Sequence, residues 1–107
     1  MKNEQHLRDE QEYLEQLKHE RYMFCWCLMT YADMPVDVAT AKAAAFYAYQ
    51  PPDNPNRDII FHDEAWHWAM LHIIGEQYWL SKPEYLTPSQ QYIDLSNNID
   101  LSNKEGK

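Results

Sequence analysis

The stretch "LRDEQEYLEQLKHERYMFCWCLMTY", Leu7 to Tyr31, decides how the chain folds. It holds no glycine or proline, and Leu7, Leu14, Leu17, Phe24, Leu28 and Tyr31 recur in it at steps of three, four and seven residues. Glu10 and Arg21 fill the two remaining seam positions. Apolar residues at that spacing line one side of an α-helix, because a turn takes 3.6 residues. The stretch therefore reads as one long helix. Its first half is charged apart from the leucines and Tyr13, and its second half is aromatic and thiol-rich, so burial should deepen past His19. Leu7, Leu14 and Leu17 then form an apolar stripe in a polar setting. A second copy of the chain is its simplest cover, which makes a homodimer the expected assembly.

Outward from this helix, Pro35 disfavours helical geometry at Met34 and suits a first helical position, so a second helix starts there. Ala41, Ala44, Ala45 and Ala48 share one flank of it, smooth enough for a neighbouring backbone to approach closely. "QPPDNPNRD", Gln50 to Asp58, holds three prolines and reads as a stiff, partly extended link. A third helix follows, from Asp58 or His62 to Ser81, with Pro83 beyond its end. "TPSQ" at Thr87 to Gln90 matches a capping box and opens a fourth helix through about Leu95. "IDLSN" occurs at Ile93 and again at Ile99, before the polar "KEGK". The expected fold is all-α, a small bundle of three to four helices with one long N-terminal helix. Residues 1–97 form a single helical domain and residues 98–107 a frayed, flexible C-terminal tail.

At 107 residues the chain has the length of one ordinary domain. A composition 45% hydrophobic and 14% aromatic suits a packed core, and 2 glycines leave little material for hairpins or phosphate-cradling loops. A net charge of -8, from 17 acids against 9 bases, repels phosphate backbones and anionic membrane surfaces. Direct nucleic-acid binding is thereby excluded. The longest apolar run, Tyr22 to Met29, is eight residues long, where a spanning helix needs roughly 20. Met1 to Glu20 is charged throughout, unlike a secretory leader. Cys25 and Cys27 point about 200° apart around a helix and cannot pair with each other. Free thiols without a leader or a span imply a reducing compartment, and the expected location is cytoplasmic.

One segment concentrates groups able to do chemistry. "IIFHDEAWHWAMLHIIGEQYW", Ile59 to Trp79, packs three histidines, three acids and three tryptophans together without a lysine or arginine. Glu64 and His67 form Glu-x-x-His, the spacing at which a carboxylate and an imidazole one turn apart can hold one metal ion in helical di-iron proteins. Such a centre needs a second pair and further carboxylates, which a dimer could supply with Glu15 or Glu20. The competing reading makes His67 a hydrogen-bonded core residue. Trp68 and Trp79 project near His72 on a continuous helix, away from His67. Zinc-protease chemistry is excluded, because His62 and His67 stand five apart and His-Glu-x-x-His needs four. Gly-x-Ser-x-Gly and Gly-Lys-Ser/Thr are missing as well.

The sequence thus points to an interaction protein rather than an enzyme: a small acidic adaptor or inhibitor, self-associating, with no catalytic residue and no cofactor. Leu7, Leu14, Leu17, Trp66, Trp68 and Trp79 are its expected interaction surface, and a protein with a basic surface is its expected further partner. Two alternatives stand beside this reading. The first is a metal-binding helical protein holding iron, manganese or zinc with Glu64 and His67 across a dimer. The second is an acidic nucleic-acid mimic that blocks the basic cleft of a DNA-binding protein.

Overall fold

In the computed structural model the backbone is described for residues 2–105 and the side-chain surroundings for residues 10–98. The order is α1 (Lys2–Ala32), α2 (Val36–Phe46), α3 (Ala65–Ile73), α4 (Tyr78–Ser81) and α5 (Gln90–Glu105). Short 3-10 turns stand at Ile59–His62 and Pro83–Tyr85, and no strand occurs among the described residues. The fold is all-α. Its 31-residue first helix is about 46 Å long at 1.5 Å per residue, close to the longest dimension of the molecule, 50 Å. α2 and α3 pack along α1, and α5 adds a smaller contact to it.

The core combines small and large side chains. Ala39 and Ala43 of α2 and Ala65 and Ala69 of α3 are buried at four-residue spacing, so both helices can approach closely. The volume is filled by Met23, Phe24, Cys27 and Leu28 of α1 together with Tyr47, Trp66, Met70, Tyr78 and Tyr92. Phe24 stacks on Phe46 with ring centres 5.1 Å apart, and meets Tyr47 edge-on at 5.7 Å. α1 ends where Asp33 takes a left-handed φ of 54°, a conformation that a short polar side chain tolerates. Pro35 then stands at the N-cap of α2.

Several expectations are corrected here. The buried face of α2 is Ala39, Ala43 and Tyr47, while Ala41, Ala44, Ala45 and Ala48 are exposed. The bulky pair at the end of the helix, Phe46 and Tyr47, decides which side turns inward. The expected third helix is broken into a 3-10 turn, α3 and α4. Gly75 (φ 124°) and Gln77 (φ 58°) reverse the chain between α3 and α4, and the Ile74 and Gly75 amides both donate to the Met70 carbonyl, at 2.8 and 3.4 Å. The proline link forms successive turns, with Asn54 N–H on Pro51 O and Arg57 N–H on Asn54 O. Ser89, not Thr87, opens α5: its hydroxyl accepts the Tyr92 N–H at 3.2 Å and bonds the Tyr31 hydroxyl at 2.7 Å. α5 also runs past Leu95 to Glu105. The backbone is helical to that point, and the side chains beyond Asn98, where the tail is expected, lie outside the described residues.

The proline-rich link is fastened to α1. Arg57 pairs with Glu10 at 2.7 Å and lies 4.0 Å over the Tyr13 ring, while Tyr49 donates its hydroxyl proton to the same Glu10 carboxylate. That bond, followed by burial, raises the Tyr49 pKa. The Gln50 N–H donates to the Tyr13 hydroxyl at 2.9 Å. The link fixes the direction from which the chain enters α3.

Candidate functional site

Glu64 and His67 face a common groove. Asp63 and Glu64 are extended residues between the 3-10 turn and α3, and both are exposed. Glu64 caps α3 with its carbonyl, which accepts the amides of His67 and Trp68 at 3.0 and 3.4 Å. Its carboxylate makes no capping bond. One turn further on, His67 is half-buried, and its Nδ1 lies 2.9 Å from the Tyr78 hydroxyl. The reversal at Gly75 and Gln77 folds α4 back, so that Trp79 lies over the His67 ring with centres 6.4 Å apart and planes 24° from parallel. An open groove of about 400 Å³ results, lined by His62, Asp63, Glu64, His67, Tyr78 and Trp79, with Trp66 on its inner wall and Leu86 and Pro88 at its margin.

Tyr78 links the groove to the core. Its burial, and secondarily the negative charge of Asp63, raise the phenol pKa above its ordinary value, so the hydroxyl keeps its proton and can donate to an unprotonated Nδ1 of His67. His67 is therefore a hydrogen-bonded, half-buried residue whose partner is a hydroxyl. Glu64 and His67 share a groove, yet among the described residues no three His, Cys, Asp or Glu side chains are placed to hold a metal ion. The iron, manganese or zinc alternative needs ligands beyond the described neighbours of Glu64 and His67. Glu15 is exposed on α1, and Glu20 is 9% exposed, with one carboxylate oxygen accepting from Gln16 at 2.5 Å.

The expected interaction residues separate into distinct groups. Leu14 is 44% exposed, whereas Leu17 is 4% exposed and belongs to the core. A three-residue step turns a helix by about 300°, enough to carry Leu17 to the inward side while Leu14 stays outward. Leu17 is thus removed from the interaction surface. Trp66 is removed too: it is 1% exposed, its indole N–H donates to Tyr85 O at 2.8 Å, and its backbone N–H donates to the Tyr92 hydroxyl at 3.3 Å. Trp68 is half-buried against Phe46, with its indole bonded to Ile60 O at 3.0 Å. Trp79 is half-buried over His67 rather than near His72, because the chain reverses between them. The side chain of Leu7 lies outside the described residues.

A second surface was only partly foreseen. Leu14, Tyr22 (51% exposed) and Met29 (38% exposed) run along the outer side of α1 with Cys25 between the last two. Beside them Val36, Thr40 and Ala44 form one edge of α2, four residues apart. The Cys25 thiol sits 3.7 Å from both Met29 Sδ and Thr40 Oγ1. A shallow groove of about 280 Å³ runs between the two helices, lined by Tyr22, Cys25, Thr40, Ala43 and Ala44, with Arg21 at its edge. Tyr22 and Met29 were legible as members of an apolar run, but only the burial of Leu17, Phe24 and Leu28 assigns them to the other side.

No protein-family model, curated protein or solved structure matches this chain. No helix among the described residues is long and apolar enough to cross a membrane.

Proposed function

We propose that this protein is an interaction module that pairs with a second copy of itself through the outer face of α1 and the adjoining edge of α2. The observation that carries the reading is the exposed row of large side chains on α1, Leu14, Tyr22 and Met29, which no other part of the chain covers to the degree that it covers Leu17, Phe24 and Leu28. Fully burying such a side chain gains roughly 1.5 to 3 kcal/mol, and about half of each remains to be buried. Charge supports a two-fold, antiparallel partner. Along α1 the acids Glu12 and Glu15 precede the bases Lys18 and Arg21, so an antiparallel copy sets acids against bases at both ends of the contact. A face of this kind is self-complementary, which is what a two-fold interface requires.

Sedimentation equilibrium tests the proposal. The wild-type chain should form a dimer in the micromolar range, and Leu14→Glu with Tyr22→Glu should give a folded monomer. Leu17→Glu is the wrong probe, since it would place a charge in the core. A wild-type chain that stays monomeric at every concentration would refute the reading.

A further inference from the structure

We propose that the groove between the start of α3 and α4 is an arginine-recognition site, which receives the guanidinium of an arginine presented by a partner protein. The inference deepens the interaction reading by naming a chemistry for a basic partner, and it does not depend on the α1 dimer. The groove brings two carboxylates, Asp63 and Glu64, together with the rings of His67, Tyr78 and Trp79, and neither lysine nor arginine lines it. Its volume of about 400 Å³ falls in the range of pockets that enclose a ligand group. The N-terminus of α3 carries roughly half a positive charge, which two full negative charges outweigh. Neither carboxylate is spent on the helix: the cap of α3 is the Glu64 carbonyl, and no side-chain bond caps it.

The chemistry favours guanidinium over ammonium. Trp79 is half-buried and lies roughly parallel to His67, so a flat cation can stack on the accessible part of the indole while its N–H fork reaches a carboxylate. An ammonium could use the charge but not the plane. Leu86, 62% exposed at the groove margin, offers apolar surface to the methylene stem of the same side chain.

The test titrates the full-length, isotope-labelled protein with a glycine-flanked, acetylated and amidated arginine peptide, and with its lysine and citrulline counterparts. The readout is the indole N–H signals of the 4 tryptophans, with Trp79 assigned through Trp79→Phe. The arginine peptide should move the Trp79 indole with a Kd on the order of 1 mM, the lysine peptide should bind several-fold more weakly, and the citrulline peptide should leave the signal in place. Asp63→Asn with Glu64→Gln should keep the folded spectrum and weaken binding by about tenfold or more. Free N-acetylarginine amide should bind no more tightly than the peptide. Repeating the titration in Leu14→Glu with Tyr22→Glu separates the two proposals, because arginine binding should survive loss of the dimer. An unmoved Trp79 indole, equal binding of the lysine or citrulline peptide, tighter binding of the free amide, or an unaffected carboxylate variant would each overturn the assignment.

Discussion

Gly75 makes the candidate groove possible, because its φ of 124° lets α3 stop and the chain turn back until Tyr78 reaches His67. A Cβ at Gly75 would meet nothing within 4 Å, so Gly75→Ala isolates the backbone cost. Urea unfolding should show a loss of about 1 to 3 kcal/mol with an unchanged helical spectrum. No loss would mean that the turn does not need this conformation. The sequence contains the glycine but hides the turn: Leu71, Ile74 and Tyr78 keep helical spacing across it, and periodicity carries no information about a positive φ. That is why Glu64 and His67 were legible as neighbours while Tyr78 and Trp79 were not. A second prediction concerns the core phenols. Burial first, and then the charge of Glu20, raises the pKa values of Tyr47 and Tyr92 above the ordinary 10.0, and burial raises that of Cys27 above 9.0. Groups whose folded pKa is raised contribute their full stability below the unfolded value and lose it as pH climbs toward the folded one. The urea midpoint should therefore fall as pH rises above about 9. The absorbance of some tyrosines should change only on unfolding. Ionisation of every tyrosine in the still-folded protein would contradict this account.

Among the elements, those with local punctuation were legible. The uninterrupted run from Leu7 to Tyr31 is α1, and Pro35 marks the start of α2. Faces were harder to assign where side chains are small, since Ala39 and Ala43 look no different in sequence from Ala41 and Ala45, and the long-range contacts of Phe46 and Tyr47 choose between them. The proline link illustrates the same limit: its prolines exclude helix, but its path is set by Arg57 and Tyr49 meeting on Glu10, well over thirty residues away in sequence. The Arg57 and Glu10 side chains are 11% and 23% exposed, sheltered enough for the ion pair and the cation–π contact together to contribute about 1 to 2 kcal/mol. Arg57→Ala should lower stability by that amount in a denaturant titration and speed exchange of the Gln50 amide, which the Tyr13 hydroxyl holds. Arg57→Lys should recover only part of the loss, because an ammonium cannot lie flat on the Tyr13 ring. Full recovery would assign the effect to charge alone.

At the scale of the whole molecule, the long helix serves two surfaces. Its inner side, Tyr13, Leu17, Phe24, Cys27 and Leu28, is consumed by the fold, and its outer side, Leu14, Tyr22 and Met29, is left to solvent. The sequence merged Leu14 and Leu17 into one seam because both fit a heptad-like step, and the difference appears only once α2, α3 and α5 occupy one side of α1. The two cysteines fall on opposite sides of this division. Cys25 is half-buried beside the outer groove, and Cys27 is buried in the core. Thiol modification of the unaltered protein by an aromatic disulfide therefore tests the central claim, that a second copy covers the outer face of α1. One thiol per chain should react in the native state, at a rate that falls as protein concentration rises through the micromolar range, and the second should react only in denaturant. A native rate independent of protein concentration would contradict the account.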